Sequence, residues 1–173
     1  MSTKFKHALV TGITVGVFAI AFFSIVDGLN TSNNWGMNPA NIRGLGGLLT
    51  IVILATGIYL TMQAVKKQQG NMLTYGQALK TGLLVAVVTA VITALFGFIY
   101  CQVINPGYAA YMVSETQKAA MAAKENNQQL AADIAAAKTE YSTTMQVIQA
   151  LVGQSVVGTV VSLIMGLFIK TKK

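Results

Sequence analysis

Long apolar runs alternate with short polar intervals along this chain, and the length of the runs sets its class. Ala8–Val26, Leu45–Val65, Thr81–Ile104 and Val147–Ile169 contain no Asp, Glu, Lys, Arg or His. A bilayer core of roughly 30 Å needs about 20 apolar residues as α-helix, and shorter runs suit the core helices of soluble domains. The pattern predicts an all-α polytopic membrane protein, with four transmembrane helices in a single membrane domain over residues 1–173. The first run follows Lys4 and Lys6 and contains Ala19-Ile20-Ala21, which resembles a signal-peptide cleavage site. The apolar stretch nevertheless continues through Phe22-Phe23-Ser24-Ile25-Val26, as a retained helix would.

The polar intervals differ in character. Between spans one and two, Gly28, Asn30, Ser32, Asn33, Asn34, Gly36, Asn38 and Pro39 read as a loop of turn formers. Trp35 within it suits an interfacial anchor, and Asp27 and Arg43 stand at its two membrane ends, where they could pair. Between spans two and three, Lys66-Lys67-Gln68-Gln69-Gly70-Asn71 leads to Thr74-Tyr75-Gly76-Gln77-Ala78, which predicts the start of the third helix. Thr74 is placed to cap it, with Gln77 at the capping-box position.

The interval between spans three and four, about 106–146, is long enough for structure of its own. It opens with Asn105-Pro106-Gly107 and is then rich in alanine, the best helix former. Asn126 with Gln129 reads as another capping box, so two helices are predicted to meet there. Leu130, Ile134, Ala137, Tyr141, Met145 and Ile148 recur at helical spacing. That stripe predicts one long helix running into span four, with a shorter helix folded against it as a hairpin.

Lipid gives helices no hydrophobic reason to associate, so small residues that let backbones approach must contribute. Gly12 and Gly16 form a GxxxG on span one. Gly82, Ala86, Ala90 and Ala94 form a stripe on span three, beside Thr89, Thr93 and Gly97, and span four offers Gly158, Ser162 and Gly166. These seams serve packing within the chain or a homo-oligomer. The stretches Ala8–Val17 and Ala78–Val87 also echo one another, as a duplicated hairpin would.

Composition and charge refine the picture. The chain is 54% hydrophobic and 10% charged, far from the quarter or so typical of soluble domains. Its net charge of +7 does not read as a nucleic-acid footprint, because the basic residues cluster at helix ends. Lys4, Lys6, Lys66, Lys67, Lys80, Lys170, Lys172 and Lys173 fall on one side of a four-span topology, with no acid among them. Arg43, Lys118, Lys124 and Lys138 share the other side with Asp27, Glu115, Glu125, Asp133 and Glu140. The positive-inside bias then puts both termini in the cytoplasm.

Candidate chemistry is sparse. His7 is the one histidine and Cys101 the one cysteine, so neither a Cys pair nor a His-based metal set is available. No GxSxG, HExxH or phosphate-cradling loop occurs. The sequence therefore predicts no enzyme, no cofactor and no metal.

Thr74-Tyr75-Gly76-Gln77-Ala78-Leu79-Lys80-Thr81-Gly82 and the exit of that span through Ile104-Asn105-Pro106 resemble the pattern of a four-helix bacterial membrane family known as domain of unknown function 4199, found mainly in Bacteroidetes. The resemblance extends over nearly the whole chain and departs in two places. Gly107 stands where an acid is expected, and the insertion is rich in alanine rather than in Glu and Met. The resemblance implies an inner-membrane location with a periplasmic insertion, and it implies no activity. The expectation is a structural or accessory membrane component, in contact with lipid and with a protein partner through 108–146. The alternative is a small transporter or channel for a neutral or lipid-like solute, lined by Thr89, Thr93 and Ser162. A polar seam facing an open cavity would favour transport, and the same residues packed dry would favour the structural reading.

Overall fold

The computed structural model describes residues 2–33 and 39–171, and side chains outside 29–43. Six α-helices follow in order: α1 (Thr3–Asn33), α2 (Pro39–Gln68), α3 (Tyr75–Ile99), α4 (Tyr108–Ala122), α5 (Asn127–Glu140) and α6 (Thr143–Ile169). A π-helical turn, Tyr100–Ile104, extends α3. Among the described residues, four helical segments are long and apolar enough to cross a bilayer: Thr3–Gly28, Gly44–Gln68, Tyr75–Ile104 and Thr143–Ile169. They contain the four predicted spans.

Two predicted features differ. The turn formers Gly28, Asn30, Ser32 and Asn33 lie inside α1, because no proline interrupts the helical ladder before Pro39. The expected Asp27–Arg43 pair and the anchoring role of Trp35 fall outside the described residues. The predicted long helix into span four is also broken, at Tyr141-Ser142. Ser142 takes extended geometry (φ −62°, ψ 146°) and its hydroxyl accepts the Met145 amide. It also donates to the Thr139 carbonyl at 2.7 Å. A capping serine thus ends one helix and starts the next, although the apolar stripe runs on past it.

α3 is the hub of the bundle and packs against α1, α2 and α6, whereas α1 and α6 hardly touch each other. The reason is where the small residues fall. A Cβ on Gly82 would strike Ser162, one on Gly158 would strike Ala86, and Gly166 lies against Tyr75 and Ala78. These contacts recur every fourth residue along both helices and form an antiparallel zipper of small side chains. On α1, Gly12 and Gly16 seat the side chains of Ile92 and Phe96. Gly57 and Gly46 of α2 accept Thr11 and the Phe22–Phe23 pair of α1. Ala8, Leu54, Ile58, Met62, Leu73, Ala78 and Val85 complete a dry core at the end of the bundle that carries the termini.

That end is tied further by polar contacts. Lys66 Nζ donates to the Ile169 carbonyl at 2.9 Å and satisfies the C-terminus of α6. Thr171 and Leu73 exchange two hydrogen bonds, Thr171 N to Leu73 O at 2.9 Å and Leu73 N to Thr171 Oγ1 at 3.0 Å. The turn after α2 needs left-handed backbone at Gly70 (φ 64°) and Asn71 (φ 62°), the residue types that adopt it most readily.

Candidate functional site

The two motifs singled out from the sequence lie at opposite ends of α3. At the first end, Thr74 adopts extended geometry (φ −76°, ψ 157°). Its hydroxyl accepts the Gln77 amide at 3.3 Å, and Gln77 Oε1 accepts the Thr74 amide at 3.0 Å. This is the reciprocal capping box that the spacing predicts. Tyr75 and Ala78 lie against Gly166, with Tyr75 Cε2 only 3.1 Å from where a Cβ at 166 would be. Gly76 faces open space, so packing does not explain it. This motif clamps the start of α3 onto the end of α6.

The second motif shapes the other end. Asn105 precedes proline, which disfavours α geometry, and it sits at φ −133°, ψ 70°. Its amide reaches back five residues to the Tyr100 carbonyl at 2.7 Å. Residues five apart on an α-helix point about 140° apart, and the wider π turn brings Tyr100 and Asn105 onto one side. There they converge on Asp27. Tyr100 donates its hydroxyl to Asp27 Oδ2 at 2.5 Å. Asn105 Nδ2 donates to the same oxygen at 3.1 Å and to the Tyr100 hydroxyl at 3.3 Å.

Asp27 is 6% exposed and is the one acidic residue within the four spans. Its position one residue past an apolar run suggests a loop end and a pair with Arg43, and nothing in the sequence marks Tyr100 as its partner. The signal available was a tyrosine five residues before Asn-Pro and an acid one residue beyond an apolar run. An ionisable group at such a depth is kept where it is paired and useful.

A chain of rings leads away from this cluster. Phe23 stands 6.4 Å from Tyr100, Tyr100 stands 6.1 Å from Tyr108, and Tyr108 stands 6.1 Å from Tyr141. The last two contacts are edge-on, the geometry that aromatic quadrupoles favour. Tyr108 and Met112 of α4 are buried with Tyr100 and Cys101 in this second core. The rings thus root the insertion in the bundle.

Beside them lies a cleft of about 120 Å³. Its walls are Ala19, Ile20 and Phe23 of α1 and Gln146 and Ala150 of α6, with Thr93, Phe96 and Gly97 behind and Tyr108 above. It exists because α1 and α6 each pack on α3 but not on one another. Thr93 alone of the predicted polar lining reaches it. Thr89 and Ser162 are 0% exposed, and Ser162 donates to its own helix at Gly158 O, 2.6 Å away. Thr89 Oγ1 and Gln154 Oε1 are buried without a hydrogen-bond partner.

Outside the membrane spans, α4 and α5 pack on each other across a turn with Lys124 at φ 57°. The Asn126 side chain accepts the Gln128 and Gln129 amides at 3.1 and 2.9 Å. Glu125 in this turn has its carboxyl raised above the usual range, first by desolvation and then by Asp133 nearby. Lys118 Nζ lies 2.6 Å from Glu115, and this hydrogen bond raises the lysine further. Among the described residues, no three His, Cys, Asp or Glu side chains gather as a metal site would require.

The model of one protein family, described as "Protein of unknown function (DUF4199)", matches residues 6–171. No curated protein and no solved structure matches the chain.

Proposed function

The chain belongs to the DUF4199 family, and from the way both family-like motifs secure α3 we propose that it is a structural or accessory component of the bacterial inner membrane. In this reading the lysine-rich termini are cytoplasmic and the α4–α5 hairpin stands in the periplasm. There it presents a helical surface to a partner protein. The observation that carries the reading is the dry packing of Thr89 and Ser162, both at 0% exposure. A pathway for solute would need those hydroxyls to face space. The Thr74–Ala78 motif locks α3 to α6, and Asn105-Pro106 locks it to α1, so both act as braces rather than as a reaction site. No chemistry and no nucleic-acid contact is assigned.

The cleft is a feature on the side of transport of a neutral or lipid-like solute. Its lining on α3 and α6 does not extend past Thr93 and Ala150, and further along both helices Ala86 and Gly158 close together. Cross-linking in native membranes, followed by mild purification and mass spectrometry, tests the proposal. A stoichiometric partner is expected, and it should be lost when residues 114–139 are replaced by a Gly-Ser linker that keeps Tyr108, Met112 and Tyr141. Retention of the partner by that variant would count against the hairpin as the docking element. Solute flux in reconstituted vesicles above that of empty ones would sink the accessory reading.

A further inference from the structure

The cleft lies in the half of the spans nearer the insertion, where the surrounding solvent is lipid. Three of its polar side chains are engaged. Thr93 donates its hydroxyl to Thr89 O at 2.7 Å, Tyr100 donates to Asp27, and Gln146 Nε2 donates to Glu140 O at 3.0 Å. Most of the surface facing the space is apolar, with Ile20, Phe23, Phe96 and Tyr108 among its walls. Gly97 makes the room, since a Cβ there would meet nothing within 4 Å.

From this geometry we propose that the cleft is a binding site for a segment of lipid acyl chain, drawn from the leaflet on the insertion side. An empty space between helices leaves its lining without dispersion partners, and water gains little where the donors are spent. At about 120 Å³ the cleft is close to the ~150 Å³ apolar cavity that takes up benzene, so it holds a handful of methylenes. A neighbouring helix, about 10 Å across, is too thick to enter. The site stands whether or not the hairpin binds a partner.

The full-length chain in vesicles of phosphatidylethanolamine and phosphatidylglycerol, doped with a phospholipid carrying a mid-chain diazirine, provides the test. After irradiation, adducts are expected mainly on Ile20, Phe23, Phe96 and Cys101, above those on the lipid-exposed Val91, Leu95 and Phe98. Gly97→Leu, which fills the cleft, should lower the cleft adducts about tenfold, as about 1.4 kcal/mol of lost binding would, and leave the exposed-face adducts unchanged. If Gly97→Leu misfolds, Gly97→Ala should give a smaller loss confined to the same residues. Equal labelling of cleft and exposed face, or cleft labelling indifferent to both substitutions, overturns the proposal. So does labelling by a free fatty acid with the same diazirine but not by the phospholipid.

Discussion

Gly158→Ala isolates the steric term of the α3–α6 zipper, because Gly153 on the same helix supplies a matched control. A Cβ at 158 would lie 2.4 Å from Ala86 Cβ and 3.2 Å from Ala86 Cα, against about 3.5–4.0 Å for carbons in contact. Both atoms are fixed to backbone, so no rotamer relieves the clash and the helices must separate by about 1 Å. At Gly153 a Cβ meets nothing within 4 Å. Each alanine gains the same helix propensity, about 1 kcal/mol, which cancels between the two variants. The remainder is overpacking, about 1–3 kcal/mol. Cys101, the single cysteine and buried, is a native reporter of opening, read as its labelling by a thiol-reactive fluorophore during heating in detergent. The midpoint of Gly158→Ala should fall below that of Gly153→Ala by about 2–12 °C, at about 2–4 °C per kcal/mol for a chain of this size. Coincident midpoints would refute the idea that close approach at this zipper holds the bundle.

Tyr100→Phe removes the hydroxyl donor to Asp27 and should cost about 1–3 kcal/mol, seen as faster Cys101 labelling at constant temperature; an unchanged rate would show that the cluster does not brace the π turn. Thr74→Ala breaks the capping box and should cost about 1 kcal/mol, with amide exchange rising first at Gly76 and Gln77. Glu125 has its carboxyl raised in the folded state, so the folded hairpin binds more protons than the unfolded one in the window that opens near the ordinary glutamate value of 4.5. Its contribution is therefore present at low pH and is lost as pH rises through the folded pKa. Amide protection around Ala120–Gln129 should decline across that window in the parent chain and change less in Glu125→Gln.

Local spacing carried much of the fold. The four spans follow from run length alone, and the Thr74–Gln77 box from two side chains three residues apart. The small-residue stripes were legible too, since residues four apart on each helix fall on one face, although their partners were not. Four features left little trace. The break at Tyr141-Ser142 hides under an unbroken apolar stripe, where one serine outweighs it. Asp27 sits one residue beyond an apolar run, so only the continuation of α1 shows that it is buried. The cleft depends on helices α1 and α6 failing to meet, which no single stretch records. The shared contact of Tyr100 and Asn105 with Asp27 requires a π turn, and sequence periodicity tuned to 3.6 residues points the two away from each other.

Tyr108 and Tyr141 meet edge-on at 6.1 Å, so the chain leaves the bundle and returns to it at nearly one spot. Past Met112, which is buried beside Tyr100 and Cys101, the segment hangs from that junction like a charm on a ring. Lengthening, trimming or exchanging the segment leaves the separation of its two attachment points unchanged, and closing a longer loop across a fixed gap costs only about 0.6 kcal/mol per doubling. The membrane part is thus insulated from drift in the segment, and a fluorescent protein or epitope spliced near Lys124 should be carried without disturbing the spans.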